Sequence, residues 1–218
     1  ISPATRTEAV LTITQNPGSS RRGYNTFYQF GRKDAFPGTD TTPDGSFNKN
    51  GNNMSIQNGI QHPETFYTGS SGWDNGYNQY NLWSMDNTVT GYNDNAVVKT
   101  IYDPCPAGFH MPASNAFTGF TTNGQNGGPM NVSGAWDYGW NFNNKITSPD
   151  ATVYFPASGY RSSKAGGLLY GVGSDGFYWL AVPNTTYNGC SLFFHSGRVN
   201  PQNSSIRSMG HSVRPVAE

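Results

Sequence analysis

Few side chains in this sequence can do acid–base, nucleophilic or metal chemistry, and their spacing brings none of them together. The four histidines, His62, His110, His195 and His211, never fall four residues apart, and none stands at zinc-ligand spacing from Cys105 or Cys190. Glutamate occurs at Glu8, Glu64 and Glu218, two of them close to a chain end. The aspartates are scattered singly, most of them beside Gly, Asn or Pro, where a carboxylate usually closes an Asx turn. A glycosidase needs two facing carboxylates. Asp137 and Asp175 could serve only if the fold brought them together, and nothing in their spacing requires it. There is no G-x-S-x-G, P-loop or dinucleotide fingerprint. The spaced glycines of 171–176 run into a strand and read as a hairpin turn. The sequence therefore predicts no enzyme, no catalytic residue, no metal centre and no resident cofactor. Oxygen-rich stretches at 40–45 and 92–95 are compatible with a structural calcium, with ordinary Asx loops as the plainer reading. Two cysteines leave a disulfide open.

Composition restricts the partners. Charged residues make up 12% of the 218 residues, and 13 basic side chains balance 13 acidic ones. A neutral chain lacks the basic surface that nucleic acid or an anionic membrane requires. No long apolar run is present, so no membrane insertion is expected. Aromatics reach 14% among abundant Gly, Asn, Ser and Thr. That mixture suits a core built on rings and a polar, uncharged contact surface of the kind paratopes use.

The elements that must position such a surface are short. Residues 5–15 alternate and are β-branched, as in a strand, and Asn16-Pro17-Gly18 ends it. Residues 1–20 are read as the end of a preceding β-sandwich-type domain or a linker strand, and 21–218 as the main domain. Val97–Tyr102 reads as a strand, and Ser114 as the N-cap of a short helix carrying Phe117 and Phe120. From residue 152 short strands follow one another: 153–155, 176–180, 191–194 and 212–216. The fold class read from this pattern is α+β, with short antiparallel strands, little helix and much irregular loop.

A resemblance rests on several motifs in order. Asp103-Pro104-Cys105-Pro106-Ala107-Gly108-Phe109-His110-Met111-Pro112 resembles a "DPCPxG-aromatic-x-x-P" signature of gut-bacterial surface and pilus-associated proteins. Phe27–Gly38 upstream, then Phe155–Arg161, Gly176–Trp179, Leu192–Phe194 and Ser212–Val216, follow the same order. The similarity covers roughly 21–218. That family is similar to C-type-lectin-like domains and includes the variable proteins of diversity-generating retroelements and pilus-tip adhesins. Their C-terminal segment is rewritten, mainly at Asn codons, on a fixed aromatic and glycine frame. Residues 200–211 resemble such a segment.

The resemblance implies a C-type-lectin-like domain that acts as a secreted or cell-surface, adhesin-like binding module. Its ligand would be a protein or glycan on another cell or phage, with pilus subunits as further partners. The contact residues implied are Tyr170, Leu180, Val182, Tyr187, Phe194, His195, Arg198, Ile206, Met209 and His211, within 160–211. Calcium-bridged sugar binding is not implied, because Val182-Pro183-Asn184 replaces the lectin Glu-Pro-Asn loop and no Trp-Asn-Asp follows. The alternatives are a structural pilus subunit and a hydrolytic enzyme.

Overall fold

A computed structural model describes residues 25–38, 48–69, 82–85, 95–185 and 187–218. The expected strand at 5–15, the boundary at residue 20 and the calcium-compatible stretch 40–45 lie outside the described residues, as does most of 92–95.

The described elements in chain order are β1 (Tyr28–Gln29), β2 (Asn48–Asn50), α1 (Ile56–Gln61), β3 (Thr65–Tyr67), β4 (Phe109–His110), β5 (Val132–Ser133), β6 (Gly139–Asn143) and β7 (Thr152–Pro156). After them come β8 (Tyr160–Ser162), β9 (Leu168–Tyr170), β10 (Asp175–Pro183), β11 (Asn188–His195), β12 (Arg198–Ile206), β13 (Gly210–His211) and β14 (Val216–Ala217). The strands form five small sheets: β1-β13-β8-β9, β10-β11-β12, β14-β4, β2-β3 and β5-β6-β7.

The α+β expectation is overturned. Strand and bridge residues account for 41% of the described chain and helix for 6%, in separate, mostly antiparallel sheets. The helix expected after Ser114 reduces to a 3-10 turn at Thr118–Phe120. Phe117 and Phe120 are three residues apart, which suits three residues per turn, and Gly119 between them disfavours a longer helix. The helix that does form, α1, begins where Ser55 Oγ accepts from the Asn58 amide at 3.0 Å, an N-cap. Val97–Tyr102 is also not a strand. Among the described residues its one ladder contact is the Ser84–Lys99 bridge, and Lys99 Nζ instead donates to the carbonyls of Cys105, Pro106 and Phe109 at 2.6–2.8 Å. The late strands at 153–155, 176–180 and 191–194 are found, longer than expected. The one at 212–216 shrinks to β14 and a bridge at Ser212.

The β10-β11-β12 meander divides the core. Alternation sends Tyr178, Leu180 and Val182 of β10 to one face, with Cys190, Leu192 and Phe194 of β11. There they meet Phe120, Trp140, Phe142 and Phe155, in a ring-on-ring cluster that includes Phe120–Phe142 at 3.8 Å and Phe142–Phe194 at 5.3 Å. On the opposite face Trp179 and Ala181 join Phe30, Trp83, Cys105 and Met111. Trp179 Nε1 donates to the Tyr28 carbonyl at 2.7 Å, so this buried indole is fully paired. Neither cysteine forms a disulfide, and both are buried, one in each cluster.

Candidate ligand-binding groove

The second cluster covers only part of its face of the meander. Beyond Trp179 the same face carries Phe177 of β10 and Phe193 of β11, paired directly across the strands with ring centroids 4.7 Å apart. Here the surface opens into a groove of about 350 Å³, lined by Tyr160, Phe177, Phe193, Asn200, Asn203, Ser204, Ser205, Ile206 and Met209.

Two local features shape it. The first is a run of rings. Tyr170 stacks on Tyr160 at 6.1 Å, Tyr160 meets Phe177 at 4.9 Å, and Phe193 meets His195 at 5.7 Å. The second is a bulge in β12. Ser191 pairs with Asn203 while Phe193 pairs with Asn200, so β12 carries one extra residue at Pro201–Gln202. Asn200 and Asn203 would face opposite sides of a regular strand; the extra residue lets both line the groove. Pro201 fits there because it has no amide to give to a ladder. Asn126 clamps the bulge, accepting from the Gln202 amide at 3.0 Å and donating to the Gln202 carbonyl at 2.8 Å.

The orientation of both amides is fixed by partner chemistry. Arg198 Nε can only donate, so the oxygen of Asn200 faces it at 3.0 Å and the Asn200 nitrogen is left for a ligand. The Ser204 carbonyl can only accept, so Asn203 turns its nitrogen inward, to that carbonyl and to Ser191 Oγ and Ser205 Oγ at 3.2–3.4 Å. Its oxygen is left outward. Tyr160 is the one titratable side chain of the lining. Burial, then the Asp175 carboxylate and Tyr170, push its phenol above the usual value, so it is neutral at physiological pH.

The structure divides the sequence-predicted contact residues. Ile206 and Met209 line the groove, Tyr170 stands at its rim through Tyr160, and His195 adjoins Phe193. Arg198 is exposed and reaches the lining through Asn200. Tyr187 is exposed at the other end of β11, some 25 Å along the strand from Arg198, outside the groove. Leu180, Val182 and Phe194 are corrected to core: each is at most 2% exposed and packs in the first cluster. Phe194 is the inward member of its pair, and Phe193 the one at the groove. His211 is corrected as well. It is fully buried, stacked on Trp179 at 4.0 Å and against Phe177 at 4.8 Å. Neither of its ring nitrogens has a hydrogen-bond partner, and burial pushes its pKa down to about 3.

Asn200, Asn203, Ser204 and Ser205 fall inside the segment singled out from the sequence, but not as contact residues. Tyr160, Phe177 and Phe193 were missed. Strand alternation could have paired Phe177 with Phe193; nothing local marks Tyr160. No described helix is long and apolar enough to cross a membrane. No family model, no curated protein and no solved structure matches this chain.

Proposed function

We propose that this chain is a non-catalytic, surface-exposed ligand-binding module of adhesin type, acting outside the cell, and that its C-terminal third builds the binding surface. The observation that carries the reading is the groove itself: an uncharged concavity of rings and amides on the β10-β11-β12 sheet. Its lining contains no carboxylate, histidine or cysteine, so it offers binding contacts rather than acid–base or nucleophilic groups.

The ordered motifs from Phe27 to Val216 support kinship with the retroelement-diversified surface proteins. The placement of β12 is what such a role needs. Asn200 and Asn203 line the groove while Val199 is buried in the core, so exchanges at the two asparagines would alter the surface and spare the frame.

The test is to screen the purified chain on glycan and extracellular-protein arrays beside Asn203→Lys and Tyr187→Ala. Asn203 is half-buried and its side chain lies on the groove face beside Ser191 and Ser205, so a lysine there projects into the groove. The expected result is a ligand kept by the parent and Tyr187→Ala and lost by Asn203→Lys, with all three still folded by thermal unfolding. Equal binding by Asn203→Lys would place the site elsewhere. Binding to nothing would favour the structural pilus subunit.

A further inference from the structure

Resting on that reading of the groove, we infer that its ligand is a neutral polyhydroxylated chain, an oligosaccharide, held without a bridging metal ion. Three observations lead there. The first is size. A volume of about 350 Å³ lies at the lower end of small-ligand pockets, and nine lining residues fall well short of the roughly 20–30 per side of a standard protein–protein interface.

The second is charge. At neutral pH the lining carries none. An acidic glycan or a nucleic acid would meet no Lys or Arg in the lining, and a cationic ligand no carboxylate. Single-stranded nucleic acid also uses aromatic platforms, but only beside a basic track along its backbone.

The third is the pairing of surfaces. Tyr160, Phe177 and Phe193 supply ring surface whose negative faces attract the weakly positive C–H hydrogens of a sugar ring. Across from them, Asn200 leaves a neutral donor and Asn203 a neutral acceptor. A sugar has this same division: an apolar face and a rim of hydroxyls that both donate and accept. A purely apolar ligand would leave the two amides without partners on desolvation, which is costly.

The experiment uses the whole chain. Neutral gluco-, manno-, xylo- and N-acetylglucosamine oligosaccharides of four to six units are titrated, followed by tryptophan fluorescence and calorimetry, with and without EDTA. Sialylated and sulfated oligosaccharides and an extracellular-protein array are run in parallel. The expected result is binding of at least one neutral series, unchanged by EDTA, abolished by Asn203→Lys, and weakened about two- to tenfold by Asn203→Ala, the loss of one hydrogen bond. Thermal unfolding shows that both variants remain folded. Binding confined to acidic glycans or to proteins, and blocked by Asn203→Lys, overturns the saccharide inference and leaves the binding function standing. Loss of neutral-saccharide binding in EDTA overturns the metal-free part. Saccharide binding untouched by Asn203→Lys, or no binding to any probe, overturns the inference and the groove together.

Discussion

His211 makes stability depend on pH in a window where few other groups titrate. The imidazole is fully buried between Trp179 and Phe177 with both nitrogens unpaired, and burial is the sole cause that lowers its pKa from 6.5 to about 3. The folded group therefore binds its proton less tightly than the unfolded one. Stability is full above the unfolded value and falls as pH drops through 6.5 towards the folded value. From pH 7 to pH 5 the unfolded chain takes up the proton and the folded chain does not, which lowers stability by about 2 kcal/mol. The result is nearly the same for any folded value below about 4, because the folded group is still neutral at pH 5. Carboxylates such as Glu64 and Asp150, held low in the fold, add their own losses mainly below this window. The assay is urea unfolding at pH 7, 6 and 5, followed by tryptophan fluorescence, for the parent and His211→Phe. The phenylalanine keeps a ring against Trp179 and removes the titration, so most of the pH 7-to-5 difference should disappear. An equal difference in both proteins, or none in the parent, would refute the argument that His211 is buried and unpaired.

Three further outcomes follow from packing. Trp179→Ala should destabilise by about 3–5 kcal/mol, with Trp179→Phe in between, since the first empties the second cluster and both leave the Tyr28 carbonyl unpaired; chemical unfolding checks this. Gly189→Ala places a methyl 2.3 Å from the buried Phe30 ring, so a loss of about 1–3 kcal/mol is expected and is read from the shift in Tm. Asn126→Ala removes the two-hydrogen-bond clamp on the β12 bulge without touching the lining, and should weaken any groove ligand several-fold at a stability cost of about 1–2 kcal/mol. Unchanged affinity in Asn126→Ala would show that the bulge holds its shape without the clamp.

The C-terminal strands were legible because their signal is local. Val153–Phe155, Gly176–Leu180 and Ser191–Phe194 are β-branched or aromatic runs bounded by turn residues, and each is found as a strand. The helix at Ser114 was misread because a cap and two rings fit a 3-10 turn as well as an α-helix. Val97–Tyr102 has β-type residues but, among the described residues, no neighbouring strand beyond one bridge, and strand propensity needs a partner to act on.

The binding surface divides along the same line. Residue types alone fix that it is neutral, ring-rich and poor in groups for catalysis, because those properties do not depend on where each residue lands. Which ring of each strand pair faces outward depends on sheet phase, and a one-residue shift exchanges the two faces. The β12 bulge is such a shift, and it is held by Asn126, 76 residues away in sequence. Tyr160 and Met209 come to the groove from outside the meander. His211 looks like a contact residue in sequence and is enclosed only because Trp179, Phe177 and Tyr160 converge on it. Composition set the chemistry of the surface; long-range packing decided which side chains display it.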